Sequence, residues 1–250
     1  MDHRIGAQLF TVRDYCKTVS DLDYTLERLA KIGYKVVQLS TIGDIPAKEV
    51  RRICDRYGMT VACTHRPYQD YLERMDEMVE YHKIVGTKVA GLGWLDVSLR
   101  TDRETLLKTI EQFNRFHEKL SEHGLRFAYH NHSFEFAKLD GRRMIDDMIE
   151  YGKFDFVFDT YWAAFSGADP AQMIERMGKR ASIIHLKDLK MDLEKHQIIT
   201  EVGQGNLNWE RILSVCNQSE FALVEQDICP GDQFESLKIS YDFLHGMGYE

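Results

Sequence analysis

Along the chain, short runs of apolar residues alternate with longer stretches in which apolar positions recur every third or fourth residue. The short runs predict strands at Ile5–Phe10, Val36–Leu39, Thr60–Thr64, Val89–Leu92, Arg126–His130, Phe154–Phe158, Ser182–Leu186 and Ala222–Glu225. The longer stretches predict helices with one apolar stripe, as in Leu22, Leu26, Leu29 and Ile32, or Leu106, Ile110, Phe113, Phe116 and Leu120. Gly33, Gly58, Gly86 and Gly124 each stand between a helical stretch and a strand, where glycine supplies a left-handed helix end at little steric cost. Asp169-Pro170 reads as an N-cap followed by the first helical position, and Asn206 or Asn208 as the cap of a helix starting near Trp209. The last helix is expected from about Gln233 to Leu244.

Eight strand–helix units in 250 residues have the size of an α/β protein built as one (β/α)8 TIM barrel, here a single domain over residues 1–250. An open doubly wound sheet would place a glycine-rich phosphate turn after its first strand. This chain has Gln8-Leu9-Phe10-Thr11-Val12-Arg13 there, so the barrel is preferred.

Composition narrows the function. With 44% hydrophobic and 29% charged residues and four prolines, the chain is neither disordered nor collagen-like. Thirty-two basic against 40 acidic residues give a net charge of −8, and no basic patch stands against that field, so no nucleic-acid partner is expected. Five cysteines without a CxxC pair read as reduced thiols. No apolar run is long enough for a signal peptide or a membrane span, so the expectation is a cytoplasmic protein without a membrane partner.

In such barrels the active site lies at the C-terminal ends of the strands. Those ends are crowded with polar residues: Tyr129-His130-Asn131-His132-Ser133-Phe134-Glu135 after the fifth strand, Asp159-Thr160-Tyr161-Trp162 after the sixth, His185-Leu186-Lys187-Asp188 after the seventh and Glu225-Gln226-Asp227 after the eighth. Strand alternation turns Ala128, His130 and His132, then Asp155, Val157 and Asp159, then Ile183, His185 and Lys187, then Leu223, Glu225 and Asp227 toward the barrel axis. Carboxylates gathered so closely raise one another's pKa unless a counter-charge is present. A divalent cation resolves the conflict, and the mixed oxygen and nitrogen set suits Mn, Mg, Co or Zn.

This ordered series, together with Gly167-Ala168-Asp169-Pro170 and Val202-Gly203-Gln204-Gly205-Asn206-Leu207-Asn208-Trp209, resembles the xylose isomerase-like TIM-barrel family of sugar phosphate isomerases and epimerases, in its YHNH-type branch. That superfamily also contains inosose dehydratases and the endonuclease IV branch. The resemblance implies one divalent metal ion, manganese favoured, bound by Asp159, His185, Glu225 and a fourth residue from the fifth strand. Glu135 is assigned to that place, with His130 as the alternative ligand or a substrate contact. The implied activity is isomerisation or epimerisation of a small sugar, keto-sugar or cyclitol through a metal-stabilised enediolate, with a lyase or dehydratase as the alternative.

His132 and Glu225 are the candidate acid–base groups, and Lys187 a donor to a substrate hydroxyl or oxyanion. Trp94 and Trp162 are candidates to stack on a sugar, with Gln8, His65, Gln204 and Asp227 as hydroxyl contacts. Asp188, of opposite parity to His185, is expected to cap or pair; Gly203-Gln204-Gly205 reads as a phosphate loop or as a plain turn. His3, His82, His117, His123, His196 and His245 lack acidic partners at ligand spacing and are expected at the surface. An endonuclease would need more ligands and a basic groove, and a silent sugar-binding barrel would have no reason to collect carboxylates. Self-association is left open.

Overall fold

A computed structural model describes residues 4–250, so His3 lies outside the described residues. Numbering the barrel strands alone, β1 (Ile5–Gln8), β2 (Val36–Leu39), β3 (Thr60–Arg66), β4 (Val89–Leu92), β5 (Arg126–His130), β6 (Asp155–Asp159), β7 (Ile183–Leu186) and β8 (Phe221–Val224) close into a parallel barrel in chain order. The seam is the β1–β8 pair, with Ile5, Gly6 and Ala7 opposite Ala222, Leu223 and Val224. Helices between the strands cover the outside, among them Val19–Ile32 and Arg103–Ser121, which bury the stripes Leu22, Leu26, Leu29 and Leu106, Ile110, Phe113, Phe116, Leu120. The fold is a single (β/α)8 barrel, as the alternation predicts.

The four glycines marked as helix ends all adopt positive φ. Gly86 shows the reason: at φ 80°, ψ 30° it closes the helix Met75–Val85 by donating its N–H to the carbonyl of His82. Asp169 and Asn208 cap their helices through side-chain oxygens. The first strand is shorter than expected. Gln8 turns its side-chain oxygen back to accept from the N–H of Phe10 at 3.1 Å, and Leu9–Tyr15 coils into a 3-10 helix instead of extending the strand.

Val36, Ala62, Cys63, Val89, Ala128, Val157, Ile183 and Leu223 fill the barrel interior as one cluster, while Phe127, Tyr129, Phe156 and Phe158 pack outward under the helices. The expected parity of β5 to β8 is therefore the observed one. On β3 it is interrupted by a bulge: Val37 and Gln38 of β2 face Val61 and Cys63, with Ala62 as the extra residue. Beyond the bulge, Thr64 points out to the helix layer and His65 points in.

Thr64 meets His82, which is fully buried rather than at the surface. Nδ1 of His82 lies 2.6 Å from the carbonyl of Met78 and Nε2 lies 2.8 Å from Oγ1 of Thr64, a pattern that one neutral tautomer satisfies as donor and acceptor. Burial here needs no acidic partner, because a carbonyl and a hydroxyl satisfy both ring nitrogens. His123, His196 and His245 are exposed as expected, although His196 does have an acidic partner, Oδ2 of Asp192 at 2.9 Å from its Nδ1, and His117 is half-buried.

Asp188 follows β7 and opens a hairpin, Asp188–Met191 with Gln197–Thr200. Its buried carboxylate accepts from the backbone N–H of Leu189, Gly203, Gly205 and Leu207 and from Nε1 of Trp209, at 2.7–3.3 Å. The Gly203-Gln204-Gly205 segment is thus a turn whose amides are turned onto this carboxylate, which removes the phosphate-loop reading.

Asp188→Ala leaves those donors without their shared acceptor and is expected to lower the unfolding free energy by about 2–3 kcal/mol, measured by urea denaturation. Burial holds the pKa of His82 down at about 4 in the folded protein, against 6.5 when exposed. Between those two values only the unfolded chain takes up this proton, so His82 makes stability fall as pH falls from 6.5 toward 4, by about 3 kcal/mol in total. In the variant His82→Gln, the slope of unfolding free energy against pH is expected to be shallower by about 1.4 kcal/mol per unit.

Candidate active site

The inward ends of β5 to β8 bring four ligand-bearing side chains together. One donor atom from each of His130, Asp159, His185 and Glu225 lies within 4.8 Å of all the others, and all four residues are buried. His185 is aimed from both ends. Its Nε2 is 2.7 Å from Oε1 of Gln38 on β2, so this nitrogen carries the proton that it donates to the amide oxygen. Its Nδ1 then faces Oε2 of Glu225 at 3.0 Å and Oδ2 of Asp159 at 3.8 Å.

Asp159 is divided in the same way. Oδ1 accepts from the N–H of Trp162 at 3.0 Å and caps the helix Thr160–Phe165, while Asn131 accepts from the N–H of Asp159 through its own side-chain oxygen. Oδ2 is left pointing into the cluster with no hydrogen bond among the described residues. Nδ1 of His130 lies 3.2 Å from the carbonyl of Val157, which leaves its other nitrogen for the cluster.

Charge sets the protonation states. Burial alone would drive the His185 pKa down, but Glu225 and Asp159 beside it hold it up at about 9. Burial pushes the carboxyl of Glu225 up, yet Lys187 and His185 hold it well below the usual range. Lys187 is fully buried, and the charges of Asp159, Glu225 and Asp227 outweigh the burial that opposes its charge and raise its pKa. Burial, then the charge of Glu225, raises Asp227. Burial keeps His65 neutral with a pKa of about 3 and His132 neutral at about 4, and holds His130 well below 6.5.

Above the cluster opens a cavity of about 960 Å³, lined by Gln8, His65, Trp94, His130, His132, Glu225 and Asp227, and extending over the ends of β2 and β3 to Ile42, Arg66 and Tyr68. This is at the large end of small-molecule sites. The ring of His132 is boxed by aromatic rings, with Phe134 stacked at 5.5 Å, Trp94 edge-on at 5.0 Å and Trp162 at 5.6 Å. His65 reaches the cavity because Gly93 leaves room; a Cβ there would stand 2.6 Å from its Nδ1.

Residues 26–227 match a family model described as a xylose isomerase-like TIM barrel. The chain belongs to the xylose isomerase-like TIM barrel family. An inosose dehydratase of Mesomycoplasma hyopneumoniae strain 7448 is 22% identical over 268 residues, covering 90% of this chain and 88% of that protein. Among solved structures, a sugar phosphate isomerase/epimerase from Parabacteroides distasonis superposes with a TM-score of 0.78 at 22% identity, covering 97% of this chain and 94% of that one. An L-ribulose 3-epimerase superposes at 0.74 with 14% identity, covering 99% and 94%. The named relatives are enzymes, and this chain is an enzyme of that family. Among the described residues no helix is long and apolar enough to cross a membrane.

Against that family pattern, two expected site residues lie elsewhere. Glu135 is buried under the loop after β5, where its oxygens accept from the hydroxyl of Tyr129 at 2.5 Å and the N–H of His132 at 2.8 Å. Tyr129 faces the helix layer, so this carboxylate is drawn away from the axis, and His130 holds the fourth position of the cluster. Gln204 is exposed on the turn anchored by Asp188 and does not line the cavity. Trp162 and Lys187 stand beside the cluster, with the Lys187 ammonium 5.1 Å over the Trp162 ring.

Gln38 and Asn131 were missed by the sequence reading. Gln38 had a signal: it is the one polar residue of Val-Val-Gln-Leu and shares the inward parity of Val36. Asn131 had none, because its role depends on β6 lying beside it.

Proposed function

We propose that this chain isomerises or epimerises a keto-sugar or cyclitol by moving a proton at a carbon beside a carbonyl. The observation that carries this reading is a four-donor cluster at the foot of a wide cavity, with a neutral, aromatic-boxed imidazole at its edge. His130, Asp159, His185 and Glu225 fit a divalent cation: two nitrogens and two oxygens at chelating distance, with Asp159 Oδ2 buried and without a hydrogen bond. A divalent ion held there would polarise a carbonyl and an adjacent hydroxyl as a Lewis acid, and manganese is our preferred ion.

The chain's own residues supply the rest. His132, uncharged at neutral pH, takes the proton from carbon and returns it. Glu225, held ionised, serves as ligand and fixed charge rather than as the proton carrier that the sequence alone allowed. Asp227 lines the cavity, ion-paired with Lys187, where its carboxylate can accept from a substrate hydroxyl. Trp94 is 57% exposed on the cavity wall and offers an apolar face to a sugar ring.

Dehydration is the second reading. It needs the same proton abstraction by His132, which then passes that proton to the departing hydroxyl so that it leaves as water, and the similarity to inosose dehydratases favours it. The cavity lining includes Asp44, Asp70, Asp96, Glu225 and Asp227 against Arg66 and Arg74, and Asp70 pairs with both arginines, so the substrate we propose is not phosphorylated.

Metal analysis of manganese-loaded protein tests the ligand assignment. Wild type and Glu135→Gln are expected to retain about one ion per chain, while Asp159→Ala and His185→Ala lose most of it and lose activity by about 100-fold or more. Metal loss in Glu135→Gln with retention in Asp159→Ala would reverse the assignment.

A further inference from the structure

Two of the oxygens best placed to bind a divalent ion already face a cation that belongs to the chain. Nζ of Lys187 is 3.4 Å from Oδ2 of Asp159 and 3.2 Å from Oε2 of Glu225, the same two atoms that face Nδ1 of His185. A third carboxylate, Asp227, lies 2.5 Å away on the cavity side and is not one of the four clustered ligands. The lysine is fully buried, with the rings of Trp162 and Tyr161 at 5.1 and 5.9 Å.

A buried ammonium is tolerated only with close anionic partners, and buried carboxylates only with close cations. Lys187 and the three carboxylates satisfy that condition for each other. A divalent ion bound to Asp159 and Glu225 adds a second cation at their oxygens, and like charges a few ångströms apart repel strongly away from bulk water.

We propose that Lys187 is a built-in counter-cation that competes with the divalent metal for Asp159 and Glu225, balancing the site before metal enters and making metal affinity lower than the same ligands would give without it. Asp227 gives the displaced ammonium somewhere to go. It is the one of the three carboxylates outside the ligand set, and it already contacts Nζ, so the ammonium can keep an anionic partner while it releases the two ligand oxygens. The role of Lys187 rests on the metal reading above, and it makes the lysine a positioning residue for the metal site.

The test is titration of metal-stripped full-length protein with manganese alone, followed by calorimetry and thermal denaturation, comparing wild type with Lys187→Met. Metal-free Lys187→Met is expected to melt below metal-free wild type, because three carboxylates lose their counter-charge. Manganese is expected to bind the variant at least about tenfold more tightly and to raise its melting temperature more than that of wild type.

A lysine that only packs would lower the metal-free melting temperature without tightening metal binding. Equal or weaker manganese affinity in the variant therefore overturns the proposal while leaving the metal site standing. Failure of both proteins to bind manganese overturns the metal site and the proposal together. Lys187→Gln, whose amide can still donate to the carboxylates, makes the same comparison should the methionine variant not fold.

Discussion

The site depends on charge compensation inside a closed barrel. Asp159 and Glu225 are buried at the axis, where an uncompensated carboxylate costs several kcal/mol. His185 and Lys187 supply the compensation at 3.0–3.8 Å, and each is fixed by something further out. Gln38 orients the ring of His185, the helix after β6 ties one oxygen of Asp159, and Asp227 shares Lys187. Removing the Lys187 ammonium would leave the carboxylates of Asp159 and Glu225 short of a counter-charge at the barrel axis.

The barrel makes that concentration of charge affordable. Below it, Val36, Val89, Ala128, Val157, Ile183 and Leu223 form an apolar floor beneath the polar residues of the C-terminal rim. The loop after β7 is pinned by Asp188, with the hydroxyl of Thr160 holding the backbone of Lys187 where the strand ends. The bulge in β3 does similar work at one position. By reversing the alternation it sends Thr64 to the buried His82 and His65 to the cavity, where regular pleating would have exchanged them.

Much of this was legible in the sequence because it is local and periodic. The eight strands, the helix-ending glycines, the two caps and the inward parity of Asp159, His185 and Glu225 all follow from patterns within a few residues. What was not legible depends on partners distant in sequence. Glu135 looked like a ligand because it is the nearest acid to β5; the hydroxyl of Tyr129 turns it away. His82 looked exposed because its partners are a carbonyl and a threonine hydroxyl rather than an acid. The β3 bulge leaves no local mark, since Thr60-Val61-Ala62-Cys63-Thr64 reads as an ordinary strand.

The central claim is proton transfer at carbon by His132. Manganese-loaded enzyme in deuterated water, followed by proton nuclear magnetic resonance with a panel of keto-sugars and cyclitols, addresses it directly. The account predicts deuterium at the carbon beside the carbonyl of any member that is turned over, and incorporation slowed by at least about 100-fold in His132→Gln. Turnover without deuterium incorporation, or unchanged incorporation in His132→Gln, would contradict it.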